Sequence, residues 1–253
     1  MKPISSQSTL PTFVILASIF TGWEALVRLR GIPPYLLPAP THILRTIFAN
    51  LSLYGQSTLI TLGESLSGLI LGVIAGTGAA LLLSLWPRLE RGVMTVAILV
   101  KSTPMVAIAP LLTIWLGFGV LPKVIITALL TFFPVLVNVI SGLQHADPAL
   151  LDLFSSWRAS RWEVFRFVRL PSTLPYLFAA LKISAPLSLI AAVVAEWTGA
   201  SGGLGHVMWL AYSNLNLPFL FGAVFILGLA GVAFYITLTW AERRFVFWQE
   251  IEA

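Results

Sequence analysis

Residues 58–86 read TLITLGESLSGLILGVIAGTGAALLLSLW, an apolar run in which Glu64 is the only charged side chain. About 20 consecutive apolar residues are enough to cross the hydrocarbon core of a bilayer as an α-helix. Three glycines in this run, Gly68, Gly72 and Gly76, follow one another at four-residue spacing and share one helical face. A face without side chains lets a second helix approach closely. The stretch therefore predicts a membrane-spanning helix that packs tightly against a neighbour.

Five further apolar runs have the same character, and with the first they predict about six transmembrane helices in an all-α integral membrane protein. They lie at about 11–28, 93–116, 120–143, 174–198 and 218–240. Between the first two runs, prolines at positions 33, 34, 38 and 40 precede an amphipathic stretch, so this segment is predicted to lie at the membrane interface. Since no repeat or linker is visible, residues 1–253 are predicted to form a single transmembrane domain.

The composition agrees with a protein that lives in a lipid bilayer. Of the 253 residues, 58% are hydrophobic and 10% charged, and the mean hydropathy is +0.92, whereas soluble domains carry about 25% charged residues. The net charge is +5, but the basic residues lie in short segments between apolar runs, which argues against a nucleic-acid partner. The absence of Cys excludes disulfides and thiolate catalysis. The first run lacks a small-residue cleavage site, so we expect a retained helix rather than a signal peptide.

The longest polar interruption, at about 144–173, sets the predicted orientation. Four arginines are concentrated in it, at positions 158, 161, 166 and 169, and the positive-inside rule therefore places it in the cytoplasm. Six spans then place both termini in the cytoplasm, together with nine of the fifteen basic residues. Arg28, Arg30 and Arg45 run against this bias in the first external loop, and we interpret them as interfacial anchors.

Two short helices are predicted inside this loop. Asp147 is placed to cap the first, with Pro148 at its first helical position. Ser160 and Glu163 have the spacing of a capping box for the second helix, which Pro171 is expected to end. Apolar and aromatic side chains follow one face of the first helix and continue along the second, namely Leu150, Leu151, Leu153, Phe154, Trp157, Trp162, Phe165 and Phe167. Two amphipathic helices with four arginines indicate a docking surface for a partner.

The stretch DPALLDLFSSWRASRWEVFRFVRLPSTLPYLFAALKIS, at 147–184, resembles the binding-protein-dependent permeases of ABC importers. The resemblance is to the branch that handles sulfonates, taurine, nitrate and pyrimidine vitamin precursors, and it covers nearly the whole chain. Further matches are PPYLLPAP at 33–40, STPMVAIAPLLTIWLGFG at 102–119, FFPVLVN at 132–138 and AEWTGASGGLG at 195–205. It implies the type I, MetI-like permease fold.

In that family the cytoplasmic loop inserts into a cleft of the ATPase subunit. The family's loop begins with Glu-Ala-Ala, a place taken here by Asp152, Leu153 and Phe154. The resemblance implies that the ATPase is contacted through Asp152, Leu153, Phe154, Trp157, Arg158, Ser160, Arg161 and Trp162. Arg158 stands where the family has a glycine. Either the turn has another geometry here, or Arg158 contributes a contact with the ATPase.

The resemblance also implies the partners and the absence of a catalytic site. The implied partners are a second copy of the permease, two ABC ATPase subunits, an extracytoplasmic solute-binding protein, a small-molecule substrate and the lipid bilayer. The implied location is the plasma membrane of a prokaryote, which is the inner membrane in a Gram-negative cell. The chain contains no G-x-x-x-x-G-K-[ST] motif, so ATP and Mg²⁺ are expected on the partner ATPase and no cofactor on this chain.

Polar residues inside the apolar runs are candidates for the translocation pathway, since buried charge in lipid is costly. They are Lys101, Pro104, Thr131, Asn138 and Glu196. Lys101 and Glu196 line the pathway or form structural ion pairs, and Thr131 and Asn138 line it or bond to a neighbouring helix. Glu24 and Lys182 lie near span ends, from which they are expected to reach the interface.

Two other functions compete with an importer subunit. A membrane serine hydrolase is suggested by Gly199–Gly203, which fits G-x-S-x-G with His206 nearby, although a glycine-rich turn explains the same residues. A stand-alone secondary transporter commonly shows inverted repeats, which are not visible here. The three histidines, His42, His145 and His206, lie in different loops without ligand spacing, so no metal site is predicted. For the solute, the stretch APLLTIWLGFGVLPKVI at 109–125 resembles the pyrimidine and vitamin-precursor group, which implies a solute of that class, with an aliphatic sulfonate, taurine or nitrate as the alternative.

Overall fold

The computed structural model describes residues 9–248, apart from the side chains at positions 9, 10, 87, 100, 101 and 105. Every regular element in these residues is helical. The helices are α1 Thr9–Leu29, α2 Pro40–Ala49, α3 Leu51–Leu85, α4 Pro87–Ser102, α5 Met105–Leu116, α6 Val120–Gln144, α7 Pro148–Ser156, α8 Arg161–Val164, α9 Leu170–Glu196, α10 Leu204–Ser213 and α11 Leu217–Phe245. A π-helical turn, Phe165–Arg169, joins α8 to α9. The all-helical prediction is confirmed.

Within residues 9–248, five helical segments are long and apolar enough to cross a bilayer. They are Pro11–Leu29, Leu51–Leu85, Val120–Gln144, Arg161–Glu196 and Leu217–Phe245. The predicted span over 93–116 is interrupted, because the chain breaks at Thr103 and Pro104 into α4 and α5. Proline has no backbone N–H to donate, and it disfavours the helical conformation of the residue before it.

The packing of α3 against α6 determines the topology. A Cβ built on Gly68 would lie 2.8 Å from the carbonyl oxygen of Val124, and one on Gly76 would lie 2.9 Å from that of Phe132. Residue numbers therefore rise together along the two helices, which run parallel. Parallel neighbours require the intervening chain to travel back along their whole length. The broken pair α4 and α5 lies in this connection, so it supplies the sixth crossing despite its break.

The remaining long helices alternate in direction. At one end of α6, Gly142 lies against Thr173 and Tyr176 of α9, and at the other end Ile126 packs near Ala195. Thus α9 is antiparallel to α6. Lys182 of α9 forms an ion pair with Glu242 of α11, so Lys182 has a protein partner instead of reaching the headgroups as expected.

The bundle therefore has two distinct ends. The loop end holds the 144–173 segment, the α3–α4 turn and the end of α11, and it carries the basic residues Arg88, Arg91, Arg158, Arg161, Arg166, Arg169, Arg243 and Arg244. The far end holds α2, the 117–119 turn, the glycine-rich 199–203 turn and α10. Glu24 near this end accepts a hydrogen bond from the Arg28 side chain and another from the backbone N–H of Thr41.

The core lies between α3, α6 and α9. Of the most apolar 18-residue stretch in Arg161–Glu196, 50% of the residues are buried. The corresponding share is 6% in α1 and 11% in α11. The outer helices thus present mostly apolar surface, as lipid contact requires. Buried aliphatic side chains such as Val135, Val139 and Ile140 fill the core toward the loop end.

We predict that Gly72→Ala lowers the stability of the folded protein by about 1–3 kcal/mol, because overpacking of a close helix contact forces the backbones apart. The new methyl group would overlap the Thr131 hydroxyl and lie 2.8 Å from the carbonyl oxygen of Ala128. Thermal unfolding in detergent, followed by size-exclusion chromatography, measures the effect. Gly78→Ala is the matched control on the same helix, since nothing lies within 4 Å of its added Cβ. Equal melting temperatures for the two variants would contradict the close packing of α3 on α6.

Candidate functional site

The first helix of the 144–173 loop, α7, begins as the sequence predicts. The Asp147 carboxylate accepts a hydrogen bond from the backbone N–H of Ala149 at 2.8 Å, and Pro148 occupies the first turn. An N-terminal cap of this kind satisfies a backbone donor that the helix leaves free. The helix start is therefore fixed by residues of the loop itself.

The turn after α7 contains a strained residue at the family's glycine position. Arg158 has φ +53°, the left-handed region that glycine favours. Its N–H donates to the Ser155 carbonyl at 2.9 Å, and the N–H of Ala159 donates to the Phe154 carbonyl at 3.0 Å. These two bonds form the Schellman motif that usually ends a helix with glycine. The alternative that the turn adopts another geometry is therefore wrong, and Arg158 adopts the glycine conformation at a cost of about 1–2 kcal/mol.

The second helix of the loop starts with the predicted capping box but does not stop where expected. The Ser160 hydroxyl accepts a bond from the N–H of Glu163, and the Glu163 carboxylate accepts one from the N–H of Ser160 at 2.7 Å. Pro171 was expected to end this helix, and that expectation is wrong. The chain passes through the π-helical turn into α9, where Pro171 lies in the first turn of the new helix and its missing N–H breaks no α-helical bond.

The aromatic side chains of the loop differ in exposure. Trp157 is 69% exposed, Trp162 64% and Phe167 59%. Phe154 is half-buried, and its ring centroid lies 5.9 Å from that of Trp157. The two tryptophans therefore form the outermost apolar surface, and Phe154 packs against Trp157.

Charged and polar side chains surround these tryptophans. Arg158, Arg161, Asp152 and Ser160 are all exposed, as is Leu153 between them. Exposed Trp and Arg side chains are the residue types that most often anchor a protein interface. The structure thus brings together all eight residues named for ATPase coupling in one helix–turn–helix at the loop end.

A second polar site lies buried at the far end, where α3, α6 and α9 meet. The ammonium of Lys123 donates to Glu64 at 2.6 Å, and Glu64 is 2% exposed. The Thr61 hydroxyl donates to Glu196 at 2.6 Å, and Glu196 is 1% exposed. Buried carboxylates are tolerated only when they are paired and hydrogen-bonded.

This network also holds the glycine-rich turn. The backbone N–H of Gly205 donates to the second oxygen of Glu196, and that of Leu204 donates to the Thr61 hydroxyl at 2.8 Å. Gly203 has φ +103°, and a side chain there would overlap the Glu196 carboxylate. The start of α10 is thereby fixed against α3 and α9. We call Glu64, Lys123, Thr61 and Glu196 the far-end network.

The candidate pathway residues are spread along the bundle. Glu196 belongs to the far-end network, while Thr131 is buried mid-helix against Gly72 and donates to the Thr127 carbonyl at 2.9 Å. Asn138, nearer the loop end, donates to the Pro134 carbonyl at 2.8 Å. Pro104 lies exposed at the break between α4 and α5. The side chain of Lys101 lies outside the described residues, and the pathway role of all five residues stays a prediction.

Sequence reasoning missed the ion pair between Glu64 and Lys123. It identified Glu64 as a charge inside a span but named no partner for it. The available signal was the position of the two residues in their apolar runs. Each lies near the far end of its own run, and the two side chains carry opposite charges. Recognising it required the parallel packing of α3 and α6, which a single sequence does not give.

The G-x-S-x-G residues that suggested a hydrolase lie in the glycine-rich turn at the far end. Within 9–248, the Ser201 hydroxyl makes no hydrogen bond to His206, and no cluster of three His, Asp or Glu side chains has the arrangement of a metal site. Gly199 and Gly203 both have positive φ, as a tight turn requires. The G-x-S-x-G pattern is therefore explained by the glycine-rich turn.

Comparisons with known proteins agree with this geometry. The profile of the family described as binding-protein-dependent transport system inner membrane component matches residues 68–248. The formylaminopyrimidine transport permease protein ThiX of Halalkalibacterium halodurans is 34% identical over 247 residues, which are 97% of this chain and 98% of the relative. The riboflavin transport system permease protein RibX of Chloroflexus aurantiacus is 32% identical over 242 residues, covering 95% of this chain and 90% of the relative.

A solved structure shares the fold. A chain of the inward-facing MetNI methionine ABC transporter superposes with a TM-score of 0.68 at 18% sequence identity, covering 76% of this chain and 96% of its own. The MetI-like arrangement of helices predicted from the sequence is therefore confirmed.

We predict that Lys123→Met lowers the stability of the folded protein by about 3–5 kcal/mol, because it leaves the buried Glu64 carboxylate without its cation. The double variant Glu64→Gln, Lys123→Met removes both charges and should regain most of the loss. Thermal unfolding of the two variants in detergent makes the comparison. A single variant as stable as the unaltered protein would contradict a buried ion pair at this position.

Proposed function

The chain belongs to the family of binding-protein-dependent transport system inner membrane components, and from that membership we propose how its loop and bundle work in an ABC importer. Two copies of the permease form one pathway and bind two ATPase subunits on the cytoplasmic side. An extracytoplasmic solute-binding protein delivers the solute at the far end. The permease itself makes and breaks no covalent bonds, and ATP and Mg²⁺ bind to the ATPase subunits.

The shape of the 144–173 loop is the observation that carries this proposal. A segment that only joined α6 to α9 would need neither two capped helices nor exposed tryptophans. Trp157 and Trp162 are more than 60% exposed at the end of the bundle that is rich in arginine. Exposed tryptophan in such a position is stabilised when a partner covers it.

Arg158 is part of the same docking surface in this proposal. Its left-handed conformation is strained, and the Schellman motif would form more easily with glycine. Strain of this kind persists where a side chain has a role that glycine cannot fill. We assign the exposed guanidinium of Arg158 to a contact with an acidic or carbonyl group of the ATPase.

Energy coupling follows from the continuity of the helices. The loop is linked to α9 through the π-helical turn, without a flexible connection, and α9 packs along the core helix α6. Closure of the ATPase dimer on ATP therefore moves the loop and tilts α9 with it. The tilt opens the pathway toward the far end, and the two arrangements are the states between which ATP shifts the equilibrium.

The proposed solute is a pyrimidine or related vitamin precursor. Support comes from the relatives named for formylaminopyrimidine and riboflavin, which match the chain over nearly its whole length. The buried charges of the far-end network are two carboxylates and one ammonium, which do not favour an anionic solute. An aliphatic sulfonate, taurine or nitrate is the alternative.

The protein is proposed to lie in the plasma membrane of a prokaryote with the loop end in the cytoplasm. The arginines at the loop end support this orientation through the positive-inside rule. With six crossings, both termini then lie on the cytoplasmic side.

We predict that Trp157→Ala weakens binding of the ATPase about 30-fold and abolishes ATP-driven uptake, because it removes a buried anchor worth about 2 kcal/mol in the complex. The amount of permease in the membrane should not change, since Trp157 is 69% exposed in the chain alone. Copurification of the ATPase and ATP hydrolysis stimulated by the solute-binding protein are the measurements. Phe154→Ala should have the same effect in weaker form, because Phe154 packs against Trp157.

Trp240→Ala provides the matched control. Trp240 is 70% exposed, but it lies on α11 and outside the loop, so its removal should leave ATPase binding unchanged. Normal uptake by the Trp157→Ala variant would refute the docking role. A lower yield of folded Trp157→Ala protein would show instead that the loop packs on its own membrane domain.

A further inference from the structure

A groove of about 520 Å³ opens at the far end between α3 and α10. Its polar lining residues are Gln56, Ser57, Ser201, His206, Asn214 and Asn216. Apolar contact is offered by Leu53, Ile60, Leu210 and the ring of Phe219. Sites for small organic ligands usually have volumes of about 300–1000 Å³ and combine an apolar lining with a few polar groups.

The polar groups of this groove have unused hydrogen-bonding capacity. Among the described residues, no protein partner bonds to the side chains of Gln56, Ser201, His206 or Asn216, and the Ser57 side chain has none although Ser57 is 5% exposed. The Ser57 hydroxyl is therefore open only toward the groove, where a ligand can bond to it. The groove is thus suited to a ligand that both donates and accepts hydrogen bonds.

The two walls of the groove are held in place by the far-end network. Thr61, one turn after Ser57 on α3, accepts the N–H of Leu204 at the start of α10. Glu196 accepts the N–H of Gly205, and His206 follows directly in the chain. A ligand binds more tightly to a site whose walls are already fixed, because less free energy is spent on ordering the walls when the ligand binds.

The chemistry of the lining selects the class of ligand. Amide, hydroxyl and imidazole groups line the groove, and no Lys, Arg, Asp or Glu is among the lining residues. A sulfonate or nitrate ion entering it would lose its hydration without gaining an opposite fixed charge. A neutral heterocycle with ring nitrogens and an amide matches both the polar groups and the aromatic face of Phe219.

We propose that this groove is a binding subsite for a neutral, amide-bearing heterocycle of pyrimidine size at the extracytoplasmic mouth of the pathway. The proposal rests on the importer function, since it assigns the solute class of the same pathway. Gln56 and His206, from opposite walls, hold the solute by hydrogen bonds, and the far-end network positions α10 to present His206.

The test is equilibrium binding of radiolabelled formylaminopyrimidine to the purified permease–ATPase complex without the solute-binding protein. Gln56→Leu and His206→Leu should each weaken binding about fivefold, the effect of losing one hydrogen bond. Ser213→Ala is the matched control, because Ser213 is exposed on α10 but does not line the groove. Copurified ATPase in each preparation reports whether the variant is folded and assembled.

Three outcomes overturn the subsite: no saturable binding to the unaltered complex, equal binding by all the variants, or displacement of the pyrimidine by taurine at similar concentration. A further outcome comes from chemical labelling of the groove residues. If only added solute-binding protein or lipid protects them, that molecule occupies the groove, and the proposal is overturned. Failure of the importer function is separate: if the complex binds the pyrimidine saturably but ATP hydrolysis drives no uptake, the importer function fails and the subsite stands.

Discussion

The close parallel contact between α3 and α6 is the constraint on which the rest of the structure depends. Glycines at every fourth position of α3 bring its backbone against successive carbonyl groups of α6. Since hydrophobic burial does not drive association between helices in lipid, van der Waals contact at short range must supply the attraction. Once these helices are parallel, α4 and α5 must return across the bundle, and the loop end and the far end follow from that crossing.

The two ends are stabilised in different ways. At the far end, buried charges join three helices and the start of α10, which makes that end a preformed unit. Burying an ion pair adds little to the free energy of unfolding, whereas removing one of its partners lowers that free energy strongly. The pair therefore favours the one arrangement of helices that keeps both partners together. At the loop end, by contrast, Trp157, Trp162, Arg158 and Arg161 are exposed. The far end is joined by contacts within the chain, whereas the loop end exposes the side chains that we propose to contact the ATPase.

Much of the fold could be predicted from the sequence because apolar length, glycine spacing and helix caps are local signals. The caps at Asp147 and Ser160 are confirmed for this reason. The complete break at Pro104 was not predicted, and the passage of the chain through Pro171 was predicted wrongly. Proline either interrupts a helix or occupies its first turn, and the choice depends on what packs nearby. The pair Glu64–Lys123 was missed because it joins two helices whose relative direction only the tertiary structure shows.

ATP-dependent uptake into proteoliposomes tests the central claim most directly. Vesicles would contain the permease with its ATPase and the solute-binding protein at the far end, and labelled formylaminopyrimidine would be the solute. The account predicts accumulation that requires ATP hydrolysis, stops with a non-hydrolysable ATP analogue and persists when ion gradients are collapsed. Accumulation by the permease alone, driven by an ion gradient and indifferent to ATP, would contradict it and identify a stand-alone secondary transporter.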